Sequence, residues 1–231
     1  MSRRAADSPG IPAVALVVVV AAVFAAFTAT FRGPPTRFWQ RMTLTGLGLG
    51  ALAVASEPAL RRPRLAPADI PIGAASAALL YAIFHAGDRL ARAVMPAGGD
   101  EIERIYALRA ERPPWEIALR LAAIIGPAEE LFWRGFLQRR LARRIGRWRA
   151  AAAATVAYGG VHLVSGNLTL SAAAATAGAV WSGLYAAGAS VGALVVSHVA
   201  WDIWIFLVAP TSPASGAATG ASRGAASRSR R

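Results

Sequence analysis

The stretch Ile124-Ile125-Gly126-Pro127-Ala128-Glu129-Glu130-Leu131-Phe132-Trp133-Arg134-Gly135-Phe136-Leu137 decides how this chain is read. Both flanks are apolar, yet two adjacent carboxylates and a guanidinium sit at the centre. An ionisable side chain at bilayer depth costs at least ~2.5–3.5 kcal/mol on insertion scales, so it is usually paired, faces the protein interior and marks function. The three histidines, His85, His162 and His198, also lie in apolar segments, and Asp202 follows His198 by one helical turn. Two Glu, one Arg, two or three His and an Asp converging in a low-dielectric bundle make a candidate hydrolytic site.

Outward from that stretch, the rest of the chain points to a membrane. Of its 231 residues 55% are hydrophobic, and the mean hydropathy is +0.44, too apolar for an ordinary soluble domain. Between Ala150 and Ser222 the only formally charged side chain is Asp202. The expected fold class is all-α: a polytopic transmembrane helical bundle of about seven spans. The apolar segments run from Ile11 to Phe31, Phe38 to Ser56, Ala68 to Ala86, Pro114 to about Leu141, Trp148 to Val164, Leu168 to Ala187 and Ser190 to Ala209. Gly46, Gly48 and Gly50 in the second have spacings suited to close helix packing. The first has spanning length and is read as a retained span rather than a signal peptide, whose apolar core is only ~7–15 residues.

Asp88 to Pro114 departs from this pattern, with five Arg balanced by five acidic residues. Within it Ile102, Ile105, Tyr106 and Leu108 recur at helical spacing, consistent with an amphipathic helix along the membrane surface over 100–112 or with a solvated loop helix. Pro113 and Pro114 suit a helix start. Pro127 should kink or break that helix just before the paired Glu. The expected organisation is membrane spans and a surface segment over 1–113, a catalytic helical core over 114–208 and a disordered basic tail over 209–231.

The net charge of +13 comes entirely from Arg and invites a nucleic-acid reading. Its distribution argues against one. The Arg residues cluster in short loops and at the two ends, as the cytoplasmic charge bias and anionic headgroups select. The densest cluster, Arg139 to Arg149, is placed in the cytoplasm. The expected partners are therefore the lipid bilayer and a membrane-associated peptide or protein, with no nucleic acid. With no cysteine, a Cys nucleophile, thiolate-ligated zinc and disulfides are excluded.

Helical geometry sorts the polar groups. Adjacent Glu129 and Glu130 diverge by about 100°, whereas Glu130 and Arg134 are an i, i+4 pair that can meet. Arg134 is read as the clamp on Glu130, with Glu129 directed toward His162. His198 with Asp202, and Tyr158 with His162, are further i, i+4 pairs. Glu129 and His162 could bind and activate a water while His198 donates to a tetrahedral oxyanion. Alternatively, Glu, His and Asp could ligate zinc. The preferred reading requires no cofactor, with zinc possible. His85 lacks such support and is read as structural or channel-lining. Gly188-Ala189-Ser190-Val191-Gly192 matches a nucleophile pattern but lacks the strand–turn–helix context that pattern needs.

The run Glu129-Glu130-Leu131-Phe132-Trp133-Arg134-Gly135 resembles the first motif of the CPBP (Abi) family, which includes the type II CAAX prenyl endopeptidases. Tyr158-Gly159-Gly160-Val161-His162 resembles its second motif, with Tyr in place of Phe. His198-Val199-Ala200-Trp201-Asp202 resembles the third, with Asp at a position that is Asn or Asp in the family. The resemblance covers about residues 114 to 208. It implies a glutamate-dependent membrane endopeptidase whose site opens toward the cytoplasm. In that picture Glu129 and His162 handle the water, Glu130 and Arg134 support them, and His198 with residue 202 stabilises the oxyanion. An ionised Asp202 cannot donate a hydrogen bond, so its expected role is to orient His198. The expected setting is an integral protein of a bacterial cytoplasmic membrane. Two competing readings are a proton-coupled transporter component, with Glu129, Glu130 and Asp202 as relay, and an inert membrane scaffold or immunity protein.

Overall fold

A computed structural model describes residues 12–61, 65–94 and 98–211, and over these the chain is all-α. Helix α1 (Ala13–Phe31) starts after Pro12 and ends before Gly33, Pro34 and Pro35; α2 (Phe38–Ser56) returns antiparallel beside it. Gly46 and Gly50 on α2 face Ala128; a Cβ would fit at ordinary contact distance at Gly46 but would lie only 3.3 Å from the Ala128 Cβ at Gly50, whereas Gly48 points into open space. Helix α3 (Asp69–Val94) opens with the Asp69 carboxylate accepting from the Ala66 N–H at 2.8 Å. At Gly73 it packs on the helix over Val191–Ile203, where a Cβ would lie 2.6 Å from Val196 and 2.7 Å from the Ala193 carbonyl.

Helix α4 (Gly98–Ala107) is the amphipathic element. Its Glu101 faces inward and accepts from both the N–H (2.8 Å) and hydroxyl (2.6 Å) of Thr169, which docks α4 on the start of the helix over Leu168–Ala187. The hydrogen bonds from the Thr169 hydroxyl, and then from its backbone, hold the Glu101 carboxyl below the usual glutamate range against the opposing effect of burial.

A central rod follows. It comprises α5 (Pro114–Arg120), a π-helical turn over Leu121–Ile125, α6 (Gly126–Glu130), a second π-helical run over Leu131–Gln138, and α7 (Arg139–Ile145). Gly146 at φ 83° turns the chain into α8 (Arg147–His162). Gly166 and the Asn167 cap, which accepts from the Leu170 N–H at 2.7 Å, start α9 (Leu168–Ala187). Gly188 at φ 112° leads to α10 (Val191–Ile203), continued by a π-helical turn over Trp204–Val208.

Among the described residues, three helices are long and apolar enough to cross a membrane: α1, α3 and Val191–Val208. Only 22%, 22% and 28% of their apolar windows is buried against the protein. Their outer faces carry exposed residues such as Val14, Val17, Leu79 and Val208, which an apolar solvent would accept without cost. The expected seven spans are not all of this kind. α8 has 16 residues, and the rod carries Glu116, Arg120, Glu129, Glu130 and Arg134. Small and hydroxylated residues dilute α2 and α9.

Two expectations about helix ends are corrected. The third segment does not stop at Ala86 but continues to Val94, helped by the Asp88–Arg92 pair at 3.1 Å one turn apart. Nor does Pro127 break the rod. The Gly126 N–H bonds to the Leu121 carbonyl, five residues back, and this wider turn makes room for a ring without an N–H. The expected disordered tail beyond Thr211, the start of the first segment at Ile11 and the Arg62-Pro63-Arg64 run lie outside the described residues.

Candidate active site

The rod is gripped on two sides at the point where its carboxylates project. Gly50 of α2 brings the backbone against Ala128, its Cβ position 3.3 Å from the Ala128 Cβ. On another side Gly126 meets Val199 of α10, where a Cβ would lie 2.9 Å from a Val199 methyl. The two π-helical runs flank Glu129 and Glu130, and such turns occur frequently at functional sites.

Glu130 and Arg134 are both fully buried, and Arg134 Nη1 donates to Glu130 Oε1 at 2.8 Å. The second terminal nitrogen of the guanidinium is also held. Nη2 donates to the Gly178 carbonyl of α9 at 3.3 Å, and the cation lies 5.0 Å from the Tyr158 ring centre and 5.3 Å from that of Trp181. The same Glu130 oxygen lies 2.8 Å from His198 Nδ1, joining the rod to α10. His198 stacks on Trp181 with centroids 4.1 Å apart and planes 18° from parallel. Its other nitrogen, Nε2, is 3.4 Å from Asp202 Oδ2. A neutral imidazole has one N–H, so only the doubly protonated ring can donate toward both carboxylates.

Glu129 is 3% exposed and turned elsewhere. Its Oε2 accepts from the Tyr158 hydroxyl at 2.9 Å. One turn along α8, His162 Nδ1 lies 2.7 Å from the Tyr158 carbonyl, while its ring packs edge-on against Tyr158 (5.0 Å) and Phe27 (5.3 Å). A carbonyl only accepts, so Nδ1 carries the hydrogen, and Nε2 of a neutral His162 is the acceptor.

The structure thus brings the six expected side chains into two connected groups. Glu130, Arg134 and His198 form one, with Asp202 at its margin; Glu129 and Tyr158 form the other, with His162 beside them. Tyr158 bridges the groups, since its ring also faces Arg134. The expected clamp of Arg134 on Glu130 is present. The carboxylate nearest to His198 is Glu130 rather than Asp202, a contact between helices that periodicity cannot reveal. Tyr158 was visible one turn before His162, but its hydroxyl contact to Glu129 had no signal in the spacing. His85 stands apart. Its ring lies 5.4 Å from Tyr81, and among the described residues no hydrogen bond or ion pair joins it to this cluster. Ser190 is a helix cap. Its hydroxyl accepts from the Ala193 N–H and donates to Asp69, which leaves it no role as a nucleophile. The open groove between α1 and α2, lined by Thr30, Arg32, Arg41 and Thr45, contains none of the site residues.

Several buried polar atoms in or near the cluster have no protein partner, among them Glu130 Oε2, Arg134 Nε and Trp133 Nε1. Such atoms call for an explanation, which a site for water or for the polar atoms of a substrate supplies. The donors fit a zinc ion poorly as arranged. Among the described residues no three His, Cys, Asp or Glu side chains converge as a ligand set. His162 Nδ1, one Glu129 oxygen and both His198 nitrogens already face protein groups.

Residues 111–204 match the family model described as type II CAAX prenyl endopeptidase Rce1-like. No curated protein and no solved structure matches the chain. The matched stretch contains Glu129, Glu130, Arg134, His162, His198 and Asp202, and the match supports a hydrolase acting on peptide bonds in a membrane setting.

Proposed function

From the match of residues 111–204 to the Rce1-like, type II CAAX prenyl endopeptidase model we propose that the protein is an intramembrane endopeptidase. It cuts a peptide bond in a membrane-associated or lipid-modified, CAAX-like substrate by means of a water activated by Glu129 and His162. The observation that carries this reading is the division of labour between the adjacent carboxylates. One oxygen of Glu130 is engaged by both Arg134 and His198, whereas Glu129 accepts from the Tyr158 hydroxyl.

In this mechanism Glu129 accepts a proton from the water as the oxygen attacks the scissile carbonyl, and returns it to the leaving amine. His162 Nε2, left as acceptor, orients the same water. The developing oxyanion needs a donor already aimed at it. His198 Nε2–H supplies one, because its 3.4 Å approach to Asp202 is looser than its Nδ1 contact with Glu130. Glu130 and Arg134 keep the imidazole fixed, so little reorganisation accompanies charge formation. The surrounding aromatic rings lower the local dielectric and strengthen each of these interactions.

The test uses purified, chelator-treated protein in liposomes with an internally quenched peptide ending in a farnesylated CAAX sequence. Cleavage is expected, with metal content below one ion per chain. Glu129→Ala and His162→Ala should each abolish cleavage while the protein still inserts and folds. Full activity in both variants would overturn the proposal, and zinc-dependent recovery of activity would overturn its metal-free form.

A further inference from the structure

Tyr158 is 5% exposed and meets both halves of the proposed water-activating pair through different atoms. Its phenol hydroxyl donates to Glu129 Oε2 at 2.9 Å, and its peptide carbonyl receives His162 Nδ1 at 2.7 Å. We infer that Tyr158 is a positioning residue that sets the orientation of Glu129 relative to the free nitrogen of His162.

The ring itself is immobilised. Trp133 packs edge-on at 5.3 Å, Trp181 at 6.4 Å, and the Arg134 guanidinium covers it at 5.0 Å. On the α9 side the chain has Gly178, where a Cβ would lie 2.9 Å from Tyr158 Cδ1. A hydroxyl on so constrained a ring has one direction available, and it points at the carboxylate. Glu129 has three rotatable bonds and would otherwise sample several rotamers. Holding Oε2 leaves Oε1 to face the water. The carbonyl contact fixes the His162 tautomer, so the acceptor nitrogen and the carboxylate are set by a single residue. Packing alone does not need the oxygen, since a phenylalanine ring fills the same space.

The inference rests on the reading that Glu129 and His162 act on one water, and the experiment separates the two. Tyr158→Phe is compared with wild type and with Glu129→Ala on the farnesylated quenched peptide, with kcat and KM normalised to the folded fraction. Expected for Tyr158→Phe is a fall in kcat of roughly 10- to 100-fold, the scale of a misplaced reacting group, with KM within twofold. In a Glu129→Asp background, whose shorter carboxylate does not reach the phenol, the same substitution should change kcat by less than threefold. If Glu129→Ala is inactive while Tyr158→Phe keeps wild-type kcat, this inference fails and the protease reading survives. It also fails if normalisation to folded protein restores the lost kcat, or if the Glu129→Asp background loses the same factor. If Glu129→Ala is itself fully active, the water-activating role of Glu129 falls first, and this inference with it.

Discussion

Arg134→Met tests the electrostatic core of the site most directly. The substitution keeps an unbranched chain of similar length but deletes the cation that meets Glu130 at 2.8 Å, with both partners fully buried. Removing one member of such a pair costs ~3–5 kcal/mol, because the remaining charge has lost its compensation. His198 offsets part of this, since its Nδ1 still contacts Glu130. Loss of the two cation–π contacts adds ~0.5–1 kcal/mol each. At ~2–4 °C per kcal/mol for a domain of this size, the melting temperature should fall by ~6–20 °C. The decisive control is the double variant Glu130→Leu/Arg134→Met. Replacing a buried pair by apolar groups of similar volume is often neutral or stabilising, so the double variant should melt well above the single one. It should nevertheless be inactive, because His198 has lost the carboxylate that orients it. Thermal unfolding in one detergent, followed by tryptophan fluorescence with cleavage measured in parallel, reads both effects. A single variant that melts like wild type, or a double variant no more stable than the single, refutes the reasoning.

Other expectations follow from the same contacts. Gly73→Leu should destabilise the protein by at least ~1–3 kcal/mol, since α3 and α10 have no room for a Cβ there; unchanged melting would show the helices are not in contact. Glu101 is ionised in its bonds to Thr169, and its carboxyl lies below the ordinary glutamate range. Its contribution to stability is therefore present above the unfolded glutamate value of about 4.3 and lost as pH falls through the lower folded value. Hydrogen exchange in α4 should accelerate across that acid window in wild type, and Glu101→Gln should be fast throughout; a variant protected like wild type at neutral pH would contradict the docking role. The Glu129→Ala and His162→Ala losses of cleavage and the Tyr158→Phe fall in kcat complete the set.

Much of the architecture could be read before any coordinates, wherever a local rule governs it. The limits of α2 at Phe38 and Ser56, and of α9 at Leu168 and Ala187, agree with the apolar segments, because Pro34, Pro35, Asn167 and Gly188 act on their immediate neighbours. The Glu130–Arg134 pair follows from helical repeat alone. The surface helix was readable as amphipathic, but not its attachment, since the Glu101–Thr169 bonds join residues 68 positions apart. Pro127 misled because the rule for an α-helix says nothing of a five-residue hydrogen-bond step. The Tyr158 hydroxyl and the His198 contact to Glu130 depend on how α8 and α10 approach the rod, which glycines at 126 and 178 allow but do not announce.

The wide turns before and after Glu129 and Glu130 make the aim of these side chains depend on residue count. Each residue advances a helix by about 100°. Deleting one residue from Leu121–Ile125 would let an ordinary turn form, yet rotate everything beyond it relative to α5. The carboxylates would then swing away from Tyr158 and His198, although every amino acid that touches them was still present. Insertions and deletions in this part of the rod are thus constrained as tightly as the acidic residues themselves.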